Sequence, residues 1–289
     1  MSTEQATFVR RKTVRTTRRV FGRFLLYLAV TVGAAIIILP FVWMVGTSLK
    51  SEGDIFRYPL DLLPRTVTFQ AYIDVWRRIP FARFFINSVI FAGSVTVSSL
   101  FLDSLTAFAL ARLTFKGRGF CFWLVLATLM VPFQITLIPL FVTVVQVHWI
   151  NTYAGLIVPR LTNAFGIFML RQFFISLPKS LDDAARIDGA SNFRIYWQII
   201  LPLSKPAIAS LAIFHFMYNW NDFLWPLVIT STTEMRTLPA GLTLFMGQYV
   251  IEHAVLMAGA LISLVPLATA FLFAQKYFVQ GVVMSGLKE

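Results

Sequence analysis

Apolar residues along this chain come in long runs separated by shorter polar stretches. Six runs stand out, at about residues 24–47, 84–111, 120–145, 154–174, 206–230 and 254–278. Each is long enough to cross a bilayer as a helix, which takes roughly 20 residues. The runs are apolar on all faces and lack the single 3.6-period stripe of a helix lying on a soluble core, as lipid-embedded or bundle-buried helices require. A membrane β-barrel would show short segments of alternating polarity instead. The pattern predicts an all-α membrane protein with six transmembrane helices.

Interruptions inside the runs mark helices that pack against one another. Pro132 and Pro139 in the third run and Pro266 in the sixth are expected to kink or break their helices, because proline lacks the N–H of the helical ladder and its ring crowds the preceding turn. The stretch "GSVTVSS" (93–99) offers small side chains for close helix contact.

Composition leaves this picture intact. The 289 residues are 57% hydrophobic and 13% charged, with mean hydropathy +0.74, outside the soluble globular range. Little room remains for a soluble domain, so the chain reads as a basic N-terminus (1–23), one permease-like membrane domain (24–278) and a short tail (279–289). The lone Cys121 excludes an internal disulfide framework. The run from 24 to 49 is too long for a signal-peptide core, and it reads as a retained first span.

Charge gives direction. The net charge of +12 raises nucleic acid as a partner, but seven of the 25 basic residues lie in "RRKTVRTTRRVFGR" (10–23), directly before the first span. That is the flank expected on the cytoplasmic side, and no base-reading motif accompanies it. With the N-terminus inside, segments 1–23, 112–119, 175–205 and the tail would be cytoplasmic, and all carry basic residues. On the opposite side 146–153 holds none and 231–253 only Arg236, whereas 48–83 breaks the pattern with six. The balance predicts both termini inside.

One polar island stands apart, "SLPKSLDDAARIDGASNFRIYWQIILPLSKP" (176–206). Ser180 followed by Asp183 fits a capping box, placing Asp182 and Asp183 in a first turn where the helix dipole favours acids. Ala184 and Ala185 favour helix and leave a surface free of bulk. Asp188-Gly189 is a turn signal, with Gly189 suited to the left-handed residue that ends a helix. Ser191 can cap a second helix, "NFRIYWQII", expected to stop before Pro202. A plain helical loop would look like this, and so would a rigid knob that docks into a cleft on a soluble partner, since preorganisation lowers the cost of binding.

Chemistry within the spans is sparse. No Gly-x4-Gly-Lys phosphate loop occurs. His148, His215 and His253 are far apart and form no metal-binding pair, so no catalytic residue, metal or cofactor is assigned to this chain. Asp103 and Asp222 are intramembrane acids, a costly placement that often marks function, and Asp103 is expected to face the bundle interior. Asn219, Trp220, Asn221 and Asp222 combine hydrogen-bonding groups with a flat apolar ring. They suit a sugar pathway or, equally, polar glue between helices.

The island "LDDAARIDGASNFRIYWQIILPLSKP" closely resembles the Glu-Ala-Ala…Gly loop of ABC-importer permeases, with Asp183 in place of the usual Glu. The stretches "FINSV" (85–89), "ARLTFKGRG" (111–119), "VPFQITLIPLF" (131–141), "WNDFLWPL" (220–227), "TLPAGL" (237–242) and the tail "QKYFVQGVVMSGLKE" resemble the carbohydrate branch of that family, which includes the smaller permease of the maltose transporter. The resemblance runs from about residue 20 to the end. It implies the type I importer architecture in the bacterial inner membrane. Asp183, Ala184, Ala185, Asp188 and Gly189 would couple this chain to a dimer of ATP-binding subunits that hold ATP and magnesium. A second homologous permease, an extracytoplasmic solute-binding protein and a sugar-like substrate complete the implied set. The alternative is a self-contained secondary transporter using its intramembrane acids.

Overall fold

The computed structural model describes residues 3–56, 61–247 and 251–286, with the side chains of 21–56, 61–247, 251–273 and 275. The basic side chains of 10–19 and residues 287–289 of the expected tail therefore lie outside the described residues. No strand is present among those described; Met246 and Ile251 form an isolated bridge. The chain forms two compact units, residues 1–73 with 252–261, and residues 74–251 with 262–289.

In the first unit, helix α1 (Thr3–Ser48) carries the basic segment and the first span as one continuous element, running through Pro40. At its end the Ser48 hydroxyl donates to the Val45 carbonyl (2.8 Å) and meets the Tyr72 hydroxyl (2.9 Å). The amide of Thr68 donates to the Leu49 carbonyl at 3.0 Å, and Lys50 Nζ donates to that of Asp61. Glu52 accepts from the Ala254 amide at 2.7 Å. It thus places a carboxylate at the positive end of the last helix, where the dipole favours it.

The remaining helices in chain order are α2 (Gln70–Arg78), α3 (Phe81–Arg112), α4 (Arg118–Leu129), α5 (Phe133–Gln146), α6 (Tyr153–Ile157), α7 (Ala164–Ser176), α8 (Ser180–Ile187), α9 (Asn192–Leu203), α10 (Lys205–Trp220), α11 (Leu224–Ile229), α12 (Leu238–Leu242) and α13 (His253–Gly286). The centre of the second unit is α3, which packs on α7 and α10. Its small residues Ala92, Ser99, Ser104 and Ala107 are buried, as close packing demands.

Four stretches are long and apolar enough to span a membrane alone, namely Phe21–Ser48, Phe81–Arg112, Tyr153–Ser176 and His253–Phe273. Two further spans result if each sharply bent pair counts as one: α4 with α5 (99°) and α9 with α10 (80°). The break between α4 and α5 falls at Pro132, as expected. Pro139 and Pro266, by contrast, lie inside helices that continue through them, a local loss that neighbours can make good in a membrane. The expected fifth span is also revised. It stops at Trp220 and resumes only at Leu224.

The polar island folds as two helices with corrected ends. Ser180 is not the cap of α8. The position before the helix belongs to Lys179, already in helical dihedrals (φ −67°, ψ −26°) and without a side-chain bond. Its carbonyl takes the Asp182 and Asp183 amides, so Ser180 is already inside the helix. An N-cap needs an extended residue, and the chain turns helical too early for Ser180 to serve. The far end follows expectation. Gly189 is left-handed (φ +79°), and the amides of Gly189 and Ala190 return to the carbonyls of Arg186 and Ala185, the paired bonds of a Schellman ending. Ser191 caps α9, accepting from the Arg194 amide. That helix does not stop before Pro202; it widens into a π turn over Tyr196–Ile200 and runs to Leu203. The Leu201 amide reaches back to the Tyr196 carbonyl, opening the ladder where the proline ring would otherwise strike it.

Both helices are moored to the bundle. Ala185, Ile195, Tyr196 and Ile200 join Ala107, Phe108, Leu170, Phe174 and Leu211 in one buried cluster. The Tyr196 hydroxyl meets that of Ser104 at 2.8 Å. Arg112 at the end of α3 donates to the Leu177 carbonyl (2.9 Å) and lies 3.4 Å from the Asp182 carboxylate, both side chains buried. Removing one member of a buried pair strands the other charge, at a cost of about 3–5 kcal/mol. Arg112→Leu should therefore lower the melting temperature of the purified protein sharply. The double variant Arg112→Leu/Asp182→Leu should recover most of the loss, a non-additivity that thermal unfolding in detergent would read.

Candidate solute pathway

Three helix breaks meet alongside the middle of α3: residues 130–132 between α4 and α5, 161–163 before α7, and 221–223 between α10 and α11. Unwound backbone at membrane depth is tolerated only where protein buries it or where it lines a watered cavity. Here it borders two clefts. The first, about 680 Å³, is lined by Val95 and Ser99 of α3, Thr128 to Phe133, Arg160 to Asn163, and His215, Tyr218 and Asn219 of α10. The second, about 760 Å³, is lined by Asn163, Phe165, Phe214, Tyr218, Asn221 and Asp222 with their neighbours.

Asp103 organises the wall between α3, α7 and α10. Its side chain is fully buried, and one carboxylate oxygen accepts from the Thr162 hydroxyl (2.6 Å) and the Asn163 amide (2.9 Å). Asn163 in turn caps α7 by accepting from the Phe165 amide (2.9 Å). The other carboxylate oxygen faces His215 Nε2 at 3.2 Å, close enough for charge attraction but not aligned as a hydrogen bond. Gly166 makes this approach possible. A Cβ there would overlap the Asp103 carboxylate and come within 2.9 Å of His215 Nε2.

A second pair ties two of the breaks together. Arg160 Nη2 donates to Asp222 Oδ2 at 2.7 Å, both side chains nearly buried. The guanidinium carbon lies 3.9 Å from the centre of the Phe133 ring, a cation–π arrangement. The Arg160 carbonyl accepts from the Ser99 hydroxyl (3.3 Å), and Asp222 Oδ1 accepts from the Trp225 amide (3.3 Å). Trp225 is itself buried, its indole N–H on the Leu156 carbonyl. The pair thus fastens the end of the α6 segment to the turn after α10.

The residues singled out from the sequence divide. Asn219 lines the first cleft, with its amide on the His215 carbonyl; Asn221 and Asp222 line the second. Trp220 lines neither. It is buried, donates to the Ser263 carbonyl (3.1 Å) and stacks on Phe216, so its role is packing. On the polar island Asp183, Ala184, Asp188 and Gly189 are exposed, whereas Ala185 is buried and turns inward. Asp103 faces the interior, as expected. Arg160, His215 and Tyr218 were missed. A basic residue inside an apolar run was signal enough for Arg160; the partnership of His215 with Asp103 spans too much sequence to be read from spacing.

Gly166→Ala forces the carboxylate wall apart. It should destabilise the protein by about 1–3 kcal/mol, the usual cost of overpacking, whereas Ala164→Gly at the exposed start of the same helix should cost no more than about 1 kcal/mol. Thermal unfolding of both variants would check the difference.

Residues 104–284 match the family described as the binding-protein-dependent transport system inner membrane component. The chain is 36% identical over 258 residues to the arabinooligosaccharides transport system permease protein AraQ of Halalkalibacterium halodurans, spanning 88% of this chain and 92% of that one. The AraQ protein of Bacillus subtilis is 35% identical, over 87% and 90%. The sn-glycerol-3-phosphate transport system permease protein UgpE of Yersinia pestis is 33% identical, over 90% and 95%. In fold, the chain resembles a bacterial ABC transporter involved in the import of the acidic polysaccharide alginate (TM-score 0.80, 24% identity, 91% of this chain and 98% of that one). A second alginate transporter structure, in complex with an alginate pentasaccharide-bound periplasmic protein, gives a TM-score of 0.66 at 16% identity, over 89% and 94%. The broken helices around α3 are thus those of a transport protein: the chain belongs to the binding-protein-dependent transport system inner membrane component family and is an inner-membrane permease subunit of an ATP-driven importer.

Proposed function

We propose that this chain forms one half of the pathway for a sugar or sugar-like solute, with six spans and both termini in the cytoplasm. A homologous permease supplies the other half, and an extracytoplasmic binding protein delivers the solute. ATP-binding subunits, which carry the ATP and magnesium, grip the 176–206 island. This chain holds no nucleotide site of its own.

The observation that carries this reading is the two-faced construction of α8 and α9. Their inner faces are fixed to the bundle by the Arg112–Asp182 pair and the Tyr196–Ser104 bond. Their outer surface presents Asp183, Ala184, Ile187, Asp188 and Gly189, with the stacked rings of Phe193 and Trp197 beside them. Ile187 is 87% exposed, an apolar side chain at the tip of a polar helix. Such a surface is rigid, partly apolar and short of bulk, which suits insertion into a groove and transmission of force. A secondary transporter would have no use for it. AraQ and UgpE are transport-system permeases for arabinooligosaccharides and sn-glycerol-3-phosphate, which supports a sugar-like cargo here.

Gly189→Pro cannot adopt the positive φ and should abolish co-purification of the ATPase subunit. Ala184→Arg, at an exposed position, should do so while leaving the melting temperature within about 2 °C of the parent. In a Cys121→Ser background, Asp183→Cys should react with an impermeant thiol reagent only from the cytoplasmic side. Labelling from outside, or co-purification indifferent to both substitutions, would sink the reading.

A further inference from the structure

The relatives' names cover a neutral saccharide and an anion, so kinship leaves the charge of the solute open. The clefts speak to it. Building on the pathway reading above, we infer that the solute is an uncharged polyhydroxy compound, a neutral saccharide or polyol, and that the Arg160–Asp222 pair withholds the cleft's cation from anionic ones.

Charge comes first. Among the described residues lining the two clefts, the ionisable ones besides Tyr218 are Arg160, His215 and Asp222, and each faces an opposite partner. Arg160 is engaged at 2.7 Å by Asp222 and covered on one face by Phe133; His215 lies against Asp103. Proteins recognise phosphate and carboxylate with unspent guanidinium or ammonium groups. An anion could claim Arg160 only by displacing Asp222 and leaving that carboxylate nearly buried and unpaired, which is strongly unfavourable.

Hydrogen-bond polarity points the same way. A hydroxyl has one hydrogen to give and two lone pairs to receive. Four hydroxyls of the first cleft have already given theirs. Ser99, Thr128 and Thr136 donate to the carbonyls of Arg160, Val125 and Phe133, and Thr162 donates to Asp103. Asn219 and Asn221 spend an amide hydrogen each on the carbonyls of His215 and Met217. The lining is left rich in acceptors. A sugar, whose hydroxyls donate as well as accept, can satisfy them; a phosphate or carboxylate brings only lone pairs. Asn163 is the exception, its oxygen committed to the Phe165 amide and its NH₂ left to donate, and one amide does not hold an anion. Tyr218, 55% exposed and bordering both clefts, adds the ring on which a sugar's C–H face rests.

The test uses the complete importer, this chain with its partner subunits and binding protein, in proteoliposomes supplied with ATP. The probes are radiolabelled neutral saccharides and polyols, each paired with its uronate or phosphate counterpart. Uptake of one or more neutral members, with none of the charged counterparts, is expected. For the solute so found, Thr136→Val should raise KM about three- to tenfold, the loss of one hydrogen bond, and Tyr218→Ala should do likewise, with the assembled complex at its normal level. Uptake of a charged member would overturn the inference and leave the importer reading standing, and an unchanged KM in both variants would remove these residues from the site. An assembled, ATP-hydrolysing complex that moves no member of the panel would overturn the pathway reading itself, and the inference with it.

Discussion

A carboxylate kept from water must be answered by protein, and the second unit is arranged around one such obligation at Asp103. Its oxygens take the Thr162 hydroxyl and the Asn163 amide and face His215, so a single side chain on α3 fixes where α7 begins and how α10 lies. Gly166 completes the arrangement by removing the one atom that would hold α7 away. An unpaired acid in the same place would cost far more than the fold could spare. Helices that lipid alone would leave free to slide are thereby held in one register.

The same logic repeats at both ends of the unit's polar features. Arg160 with Asp222 fastens two unwound turns, and Arg112 with Asp182 fastens a surface helix to the end of a span. In each case the partners come from distant parts of the chain, so the contact closes a long loop of sequence. What lies between can then be irregular. The breaks near Pro132, Thr162 and Asp222 persist because the pairs around them fix their edges, and the clefts exist because the breaks do.

Much of this was legible in the sequence, for identifiable reasons. Long apolar runs announce spans because lipid demands them, and Gly189 announces a left-handed residue because few others tolerate it. Asp103 was legible as an interior group since nothing else pays for an acid in a span. The break at Pro132 could be read, but the one at 161–163, "LTN", carries no proline or glycine; it is set by Asp103 capturing Thr162 and Asn163 from another helix. Spacing could not show that Ala185 turns inward while Ala184 faces out, because a helix face is chosen by what it packs against. Arg112 looked like one more cytoplasmic charge, although its real partner lies seventy positions on. Trp220 looked like a platform for sugar and proved to be a wedge against Phe216.

The wide turn at Tyr196–Ile200 carries a consequence for any reading of that segment as a wheel. Loosening the ladder to i→i+5 adds one residue to the circuit, so every side chain after it is rotated by about 100° from where a regular helix would set it. Phe193 and Trp197 can therefore look outward while Tyr196 and Ile200 stay inside, and Pro202 still finds a place. Trimming a single residue from those five would keep every chemical group and yet swing the start of α10 onto a different side of the bundle. The number of residues in that turn is as binding as their identity.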